Sequence, residues 1–279
     1  MKTVLPSLFI LLATPVFGQY YYNDIVTTSA TTAQMKVYRD NKVQQVTARG
    51  FDASGAPSTD FSETQEVKEN GALLKISRFN GMSKSVSYQR YNAQGQLISI
   101  TDSSADLLDI TTFSYDAAGR ISQVKNENAD SAREFKQVET HNWRYSADSK
   151  PVGMWRVING TDSTEVRFNP DENGNTGDER TYKKGIENGV IYYYYDDNKR
   201  LTDIVRYNSR LKKLLPDIMF EYDEQNRVVQ RITTTSSLNM RYLIWRYVFD
   251  AKGLKTKEAL FNHDKEMTGK IEYSYTFGQ

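Results

Sequence analysis

A short pattern recurs along most of this chain: an aromatic residue, any residue, a second aromatic, Asp or Asn, then a few turn residues that often end in Gly. The clearest copies run from Phe113 through Tyr115 and Asp116 to Gly119, from Tyr193 through Tyr195 and Asp196 to Lys199, from Phe220 through Tyr222 and Asp223 to Asn226, and from Tyr247 through Phe249 and Asp250 to Gly253. Looser copies surround Tyr91, Tyr145, Phe168 and Tyr275. The second aromatics, at 91, 115, 145, 168, 195, 222, 249 and 275, are separated by 24, 30, 23, 27, 27, 27 and 26 residues. Spacing of this regularity marks a repeated structural unit, which constrains the fold more than any composition does.

The unit reads as a β-hairpin. Aromatics two residues apart point to one face of a strand. Asp or Asn opens a turn by accepting a backbone hydrogen bond from two residues on. Gly or Asn four residues after the second aromatic suits the left-handed position that closes such a turn. Leu97, Ile121, Leu201 and Val228 then begin the returning strands. Eight units predict an all-β fold, an antiparallel meander of about 16 strands with more from residues 36–90, where Phe51, Asp52 and Gly55 suggest another turn. Such a sheet must protect its edges, either by closing as a large barrel or by rolling up. Helix signals are weak; the best stretch is Ala129 to Val138, with Asp130 as a cap and Phe135 and Val138 apolar. Pro57, Pro151, Pro170 and Pro216 are expected in turns or connections.

The run Tyr115-Asp116-Ala117-Ala118-Gly119-Arg120-Ile121 resembles the tyrosine-aspartate (YD) repeat of RHS-type bacterial surface proteins. The resemblance extends over roughly residues 85–279, drifting where Gly becomes Lys199 or Asn226 and Asp becomes Ser146. Large members of that family form closed shells around a toxin, and this chain is too short for one. It is more similar to the small exported YD-type proteins of gut-dwelling bacteria, whose fold is porin-like and which have no assigned activity. The resemblance implies the fold and an exported life, and it carries no catalytic residue.

Lys2, the apolar run Leu8–Leu12 and the short residues Val16 and Gly18 fit a signal peptide cleaved before Gln19. The expected organisation is a removed segment 1–18 and one domain, 19–279. The apolar run is too short for a spanning helix, which needs about 20 residues. With no Cys in the chain there is no disulfide, no thiol nucleophile and no lipid anchor, so a periplasmic or extracellular location is expected. Residues 19–279 carry 35 bases and 35 acids once Lys2 is set aside from the 36 Lys and Arg. Neutrality disfavours nucleic acid and anionic membranes as partners. A lipid-facing barrel is disfavoured too, since Asp203 and Arg206 place charge on both faces of one strand and Glu221 and Arg246 interrupt others.

Motifs for chemistry are scarce. There is no G-x-S-x-G elbow, H-E-x-x-H, G-x-G-x-x-G or phosphate loop, and the two histidines, His141 and His263, are expected at the surface or in loops. No cofactor or metal is expected. The acid pairs Asp171-Glu172, Asp196-Asp197 and Asp223-Glu224 fall on turn positions. The loop from Asn169 to Asn175 is similar to a calcium loop, but its twelfth position is Arg180 rather than Glu, which favours an elongated turn. Aromatics remain. Tyr193, Tyr195, Trp143, Trp155 and Trp245 are the candidate ligand-binding residues, as stacking platforms for sugar rings. The competing reading is cross-strand and core packing. The expected function is non-enzymatic binding or scaffolding at the bacterial cell envelope, with an envelope protein or a glycan as partner. The alternative is a glycan hydrolase whose carboxylates meet only in the fold.

Overall fold

The computed structural model describes residues 20–104, 107–130, 136–209, 211–234 and 242–278, so the expected signal segment lies outside the described residues. The turn chemistry appears as the side chains dictate. Asp116 Oδ1 accepts the backbone N–H groups of Ala118 and Arg120 at 2.9 and 3.0 Å. Gly119 takes the left-handed position at φ +78°, matched by Lys199 at +60° and Asn226 at +62°. Asp196, Asp223 and Asp250 repeat this geometry, and Asn92 and Ser146 replace Asp in it. Asp171 does the same for Asn173 and Asn175, so the calcium-like loop is one more turn. Asp52 closes a turn of this kind through Ser54 and Ala56. Gly119→Val is expected to cost about 1–3 kcal/mol in urea unfolding, through backbone strain at positive φ. Around that residue only Gln96 Nε2 approaches an added Cβ, at 3.4 Å, so crowding adds little.

Each repeat is also tied to its neighbour. In five repeats the second aromatic is a Tyr that donates its hydroxyl to the first carbonyl of the preceding returning strand, among them Tyr115 to Leu97 at 2.6 Å, Tyr145 to Ile121 at 2.9 Å and Tyr222 to Leu201 at 2.7 Å, whereas Tyr91 donates to Gln89 Oε1. The Arg that ends the turn holds its own Asp and covers the aromatic of the next repeat. Arg120 lies 4.6 Å from the Tyr145 ring, Arg200 4.9 Å from Tyr222 and Arg227 4.8 Å from Phe249. Tyr115→Ala or Tyr222→Ala should therefore cost ~2–4 kcal/mol, by lost packing plus an orphaned carbonyl.

The strands are β1 (Val43–Asp52), β2 (Pro57–Lys68), β3 (Leu73–Phe79), β4 (Lys84–Tyr91), β5 (Leu97–Ser103), β6 (Leu107–Tyr115), β7 (Ile121–Asp130), β8 (Lys136–Tyr145) and β9 (Pro151–Ile158). They continue as β10 (Asp162–Pro170), β11 (Thr176–Lys183), β12 (Ile186–Tyr195), β13 (Leu201–Asn208), β14 (Lys213–Tyr222), β15 (Val228–Thr234), β16 (Tyr242–Phe249), β17 (Lys255–Phe261) and β18 (Met267–Phe277). Every strand pairs antiparallel with its sequence neighbours, as β8 does with β7 and β9. β18 pairs with β1, from Val43 opposite Phe277 to Asp52 opposite Gly269. The sheet is thus a closed barrel of 18 strands, and closure settles the choice between barrel and roll. The seven turns between β4 and β17 that follow the repeat's aromatics lie at one end of the barrel.

Three expectations need correction. The segment from Ala129 to Val138 is not a helix at its described ends, which belong to β7 and β8; residues 131–135 lie outside the described residues. Pro216 sits inside β14, at a register irregularity opposite Val205 that spares the ladder a missing donor. The helix is elsewhere: α1 (Asn23–Asp40), 18 residues and so about 27 Å long. Its Thr27, Thr28, Thr31 and Thr32 are poor helix formers, and the barrel rather than propensity holds it. Met35 and Tyr38 pack against Val46, Leu74, Tyr91, Leu97 and Leu254. At the other end Tyr21, Tyr22 and Ile25 pack among Val124, Trp143, Met154 and Phe168, and Tyr22 and Val26 against Ile191 and Tyr193. Inward faces from around the ring thus meet one helix, which lies across the bore.

Candidate functional site

The inner wall fixes the start of α1 with a carboxylate. Glu179 of β11 is fully buried, and its Oε2 accepts the backbone N–H of Tyr21 at 2.8 Å, that of Tyr22 at 2.9 Å and the Tyr193 hydroxyl at 2.8 Å. A side chain from a distant strand thus satisfies helix-terminal donors and meets the positive end of the dipole. Oε1 makes no hydrogen bond. Burial outweighs these donors and pushes the carboxyl up to about 7.

In the first turn of the helix, Asp24 Oδ2 receives His141 Nδ1 at 2.7 Å and Trp143 Nε1 at 3.1 Å. His141 Nε2 meets Glu139 Oε1 at 2.8 Å, and Arg156 binds Glu139 through two nitrogens at 2.9 and 2.7 Å. Burial alone would lower the imidazole, but Asp24 and Glu139 outweigh it and raise His141 to about 9. Burial likewise works against the Glu139 charge, yet His141 and Arg156 hold this carboxyl down to about 2. His141 is therefore a buried cation in β8, contrary to its expected place at the surface or in a loop; the compensation comes from an acid on a helix the sequence did not announce. His263 does sit in a turn, between β17 and β18.

On the inner face of β5 and β6, Asp102 and Asp109 stand directly opposite each other. Cross-strand partners hold their Cβ atoms about 4.5–5.5 Å apart. Burial, and then the Asp102 charge, raise the Asp109 carboxyl, against Asn126, which donates to it at 2.8 Å. Neither acid lies on a repeat turn, and their juxtaposition is chemically that of a facing carboxylate pair with one member raised.

The outer wall carries a recess of about 220 Å³ lined by Trp155, Asp162, Glu165, Tyr182, Lys183 and Lys184, with Thr161, Ser163 and Gly185. It lies at the barrel end opposite the repeat turns, between the β9–β10 and β11–β12 hairpins. Trp155, Glu165 and Tyr182 form a row across three strands, since Glu165 is opposite both Trp155 and Tyr182. Arg167 lies 4.3 Å from the Tyr182 ring and grips Glu165 through two nitrogens at 3.0 and 2.8 Å. That grip keeps the Glu165 carboxyl below its ordinary range.

The five candidate aromatics do not converge. Tyr193, Trp143 and Trp245 face the interior at 3, 6 and 7% exposure. Tyr195 is half-buried and donates its hydroxyl to the Thr176 carbonyl at 3.0 Å. Trp155 alone of the five is open to solvent, at 40%. Its partner Tyr182 escaped sequence reasoning because it lies outside the repeat pattern; the tell was its place in a polar strand beside a Lys-Lys-Gly turn.

No described helix is long and apolar enough to cross a membrane. None of the curated proteins matches the chain. Among solved structures, similarity extends to a Tc holotoxin pore from Photorhabdus luminescens, at 12% identity and a TM-score of 0.34, covering 77% of this chain. This chain spans 15% of that toxin chain. A porin-like protein from Bacteroides uniformis is similar at 11% identity and a TM-score of 0.42, over 85% of this chain and 97% of that one. Another from Bacteroides vulgatus is similar at 9% identity and a TM-score of 0.21, over 84% of this chain and 98% of the other. The RHS Repeat family matches residues 91–131, which span the turns at Asn92 and Asp116 and the hydroxyl latch of Tyr115 onto Leu97. The match to the RHS Repeat family is confined to residues 91–131.

Proposed function

We propose that this protein is exported and works without catalysis at the bacterial cell envelope, binding or scaffolding a protein or glycan through the outside of its barrel. The observation that carries this reading is the occupied bore. With α1 seated across it by Glu179, Asp24 and His141, the outer wall and the hairpin tips are what the barrel offers a partner. Export is supported by the N-terminal pattern of Lys2, Leu8–Leu12 and Gly18 together with the RHS repeat. The outer wall argues against a lipid-facing role. Glu165 and Arg167 alternate with the inward Val166 and Phe168, Glu221 with Phe220 and Tyr222, and Arg246 with Trp245 and Tyr247, so charge interrupts any apolar band. Crosslinking residues 19–279 in their native envelope and identifying captured protein and glycan is the test. Recovery of a specific envelope component is expected, and its repeated absence counts against the reading.

One observation favours a second reading, glycan hydrolysis: Asp102 and Asp109 face each other off the repeat turns, with Asp109 raised. Asp109→Asn would then abolish turnover of an envelope glycan that the unaltered protein cleaves; no turnover by the unaltered protein dismisses the pair as a catalytic device.

A further inference from the structure

We infer that the recess between Trp155 and Tyr182 is a binding site for a neutral saccharide, admitting one sugar ring edgewise from the chain end or branch of a glycan. The inference rests on the binding reading above and gives it a place and a ligand class. Four features lead to it.

The two aromatic side chains flank the recess from β9 and β11, two strand spacings apart, or roughly 10 Å. Flat aromatic faces attract the C–H faces of sugar rings, as they do other weakly polar surfaces, while leaving ring hydroxyls free at the rim. Trp155 is exposed, unlike the buried Trp143 and Trp245, so an indole is left in water on the outer wall. Tyr182 lines the recess and carries Arg167, which does not line it, over its ring. Its hydroxyl is fixed on Glu187 Oε2 at 3.1 Å.

Charge selects the ligand. The lining holds two carboxylates, Asp162 and Glu165, and two ammonium groups, Lys183 and Lys184. The balance offers no net field to an anionic or cationic ligand, which disfavours phosphates, nucleotides and uronic acids. What remains is a mixture of donors and acceptors suited to hydroxyl groups, which both give and take hydrogen bonds. Lys183 Nζ is already aligned on Asp162 at 2.9 Å and Glu165 on Arg167, so these groups are positioned before a ligand arrives. Size completes the argument. At about 220 Å³ the space is below the roughly 300–1,000 Å³ typical of sites for drug-sized ligands, which fits a single ring and excludes a buried oligomer. Arg167 holds the Glu165 carboxyl below its ordinary range, which keeps it an acceptor for ring hydroxyls.

The test is titration of residues 19–279 with neutral maltohexaose, cellohexaose and fully N-acetylated chitohexaose, and with anionic polygalacturonate, followed by tryptophan fluorescence and calorimetry. A neutral oligomer is expected to bind and to perturb the emission of the exposed Trp155. Trp155→Ala and Tyr182→Ala should each weaken it about tenfold or more, and Trp155→Phe should restore most of the affinity. Both positions are on the outer wall, so circular dichroism should stay unchanged. Binding that survives Trp155→Ala and Tyr182→Ala overturns this site while leaving the binding reading intact. Failure of every neutral oligomer, or preference for polygalacturonate, overturns the ligand class. In either case envelope crosslinking still decides the function separately.

Discussion

Trp143→Ala is expected to lower the unfolding free energy by ~3–5 kcal/mol, the largest loss from any single truncation of the barrel's lining. Trp143 is buried at the meeting of wall and helix. Its ring stacks on Phe168 at 5.1 Å and 15°, lies 6.5 Å from Tyr145, and donates from Nε1 to Asp24. Truncation leaves a hole that the closed sheet cannot collapse around, and it takes one donor from a carboxylate that also anchors His141. The matched control is Trp155→Ala on the outer wall, for which a change within about 0.5 kcal/mol is expected. Chemical denaturation followed by far-ultraviolet circular dichroism compares the two. Equal losses would show that the assignment of faces is wrong.

Stability should also fall as the solution becomes more alkaline, in two stages with known owners. Glu179 is raised in the folded protein to about 7 from an ordinary 4.5. A raised group contributes fully below its unfolded value and loses that contribution as pH rises through the folded one, so this stage runs from about 4.5 to 7. The full shift corresponds to roughly 3 kcal/mol. His141, raised to about 9 from 6.5, contributes fully below 6.5 and loses its share as pH climbs through 9. Glu139 is lowered, to about 2, so its contribution is present above 4.5 and is lost only as pH falls toward 2. The melting temperature should therefore be highest near pH 4–5 and decline through pH 9. Glu179→Gln keeps an oxygen to accept from Tyr21, Tyr22 and Tyr193 but cannot ionise. It should flatten the stage between pH 5 and 7 and leave the upper one. A variant profile parallel to the original would remove Glu179 as its source.

What the sequence disclosed follows how local the physics is. The repeat was legible because Asp116, Gly119 and Tyr115 act within a few residues, and their hydrogen bonds are the ones the turn rules anticipate. Arg120 belongs to the same signature, yet its reach to the Tyr145 ring crosses to the next unit, so its role emerged only with the fold. Helix α1 was illegible for the opposite reason. Its threonine-rich sequence argues against a helix in isolation, and the groups that stabilise it, Glu179 and His141, are more than a hundred residues away in strands. The five candidate aromatics lie in strands, but which face each occupies depends on register and, for Tyr195, on the bulge at Tyr194/Tyr195. A composition count cannot see those offsets.

The pairing of β1 with β18 has a consequence for the order of assembly. The first strand to be synthesised finds one of its two neighbours only when the last has been made, and α1, earlier still, packs against Leu254 of the turn before β17. Contacts of such long range are slow to form. Until β18 arrives the chain is a ribbon with two raw edges and an unfinished seat for its own helix. Completion is therefore all or nothing. A protein lacking β18 should aggregate through those edges rather than persist as a smaller barrel, whereas the nascent chain stays threadable until β18 has been made.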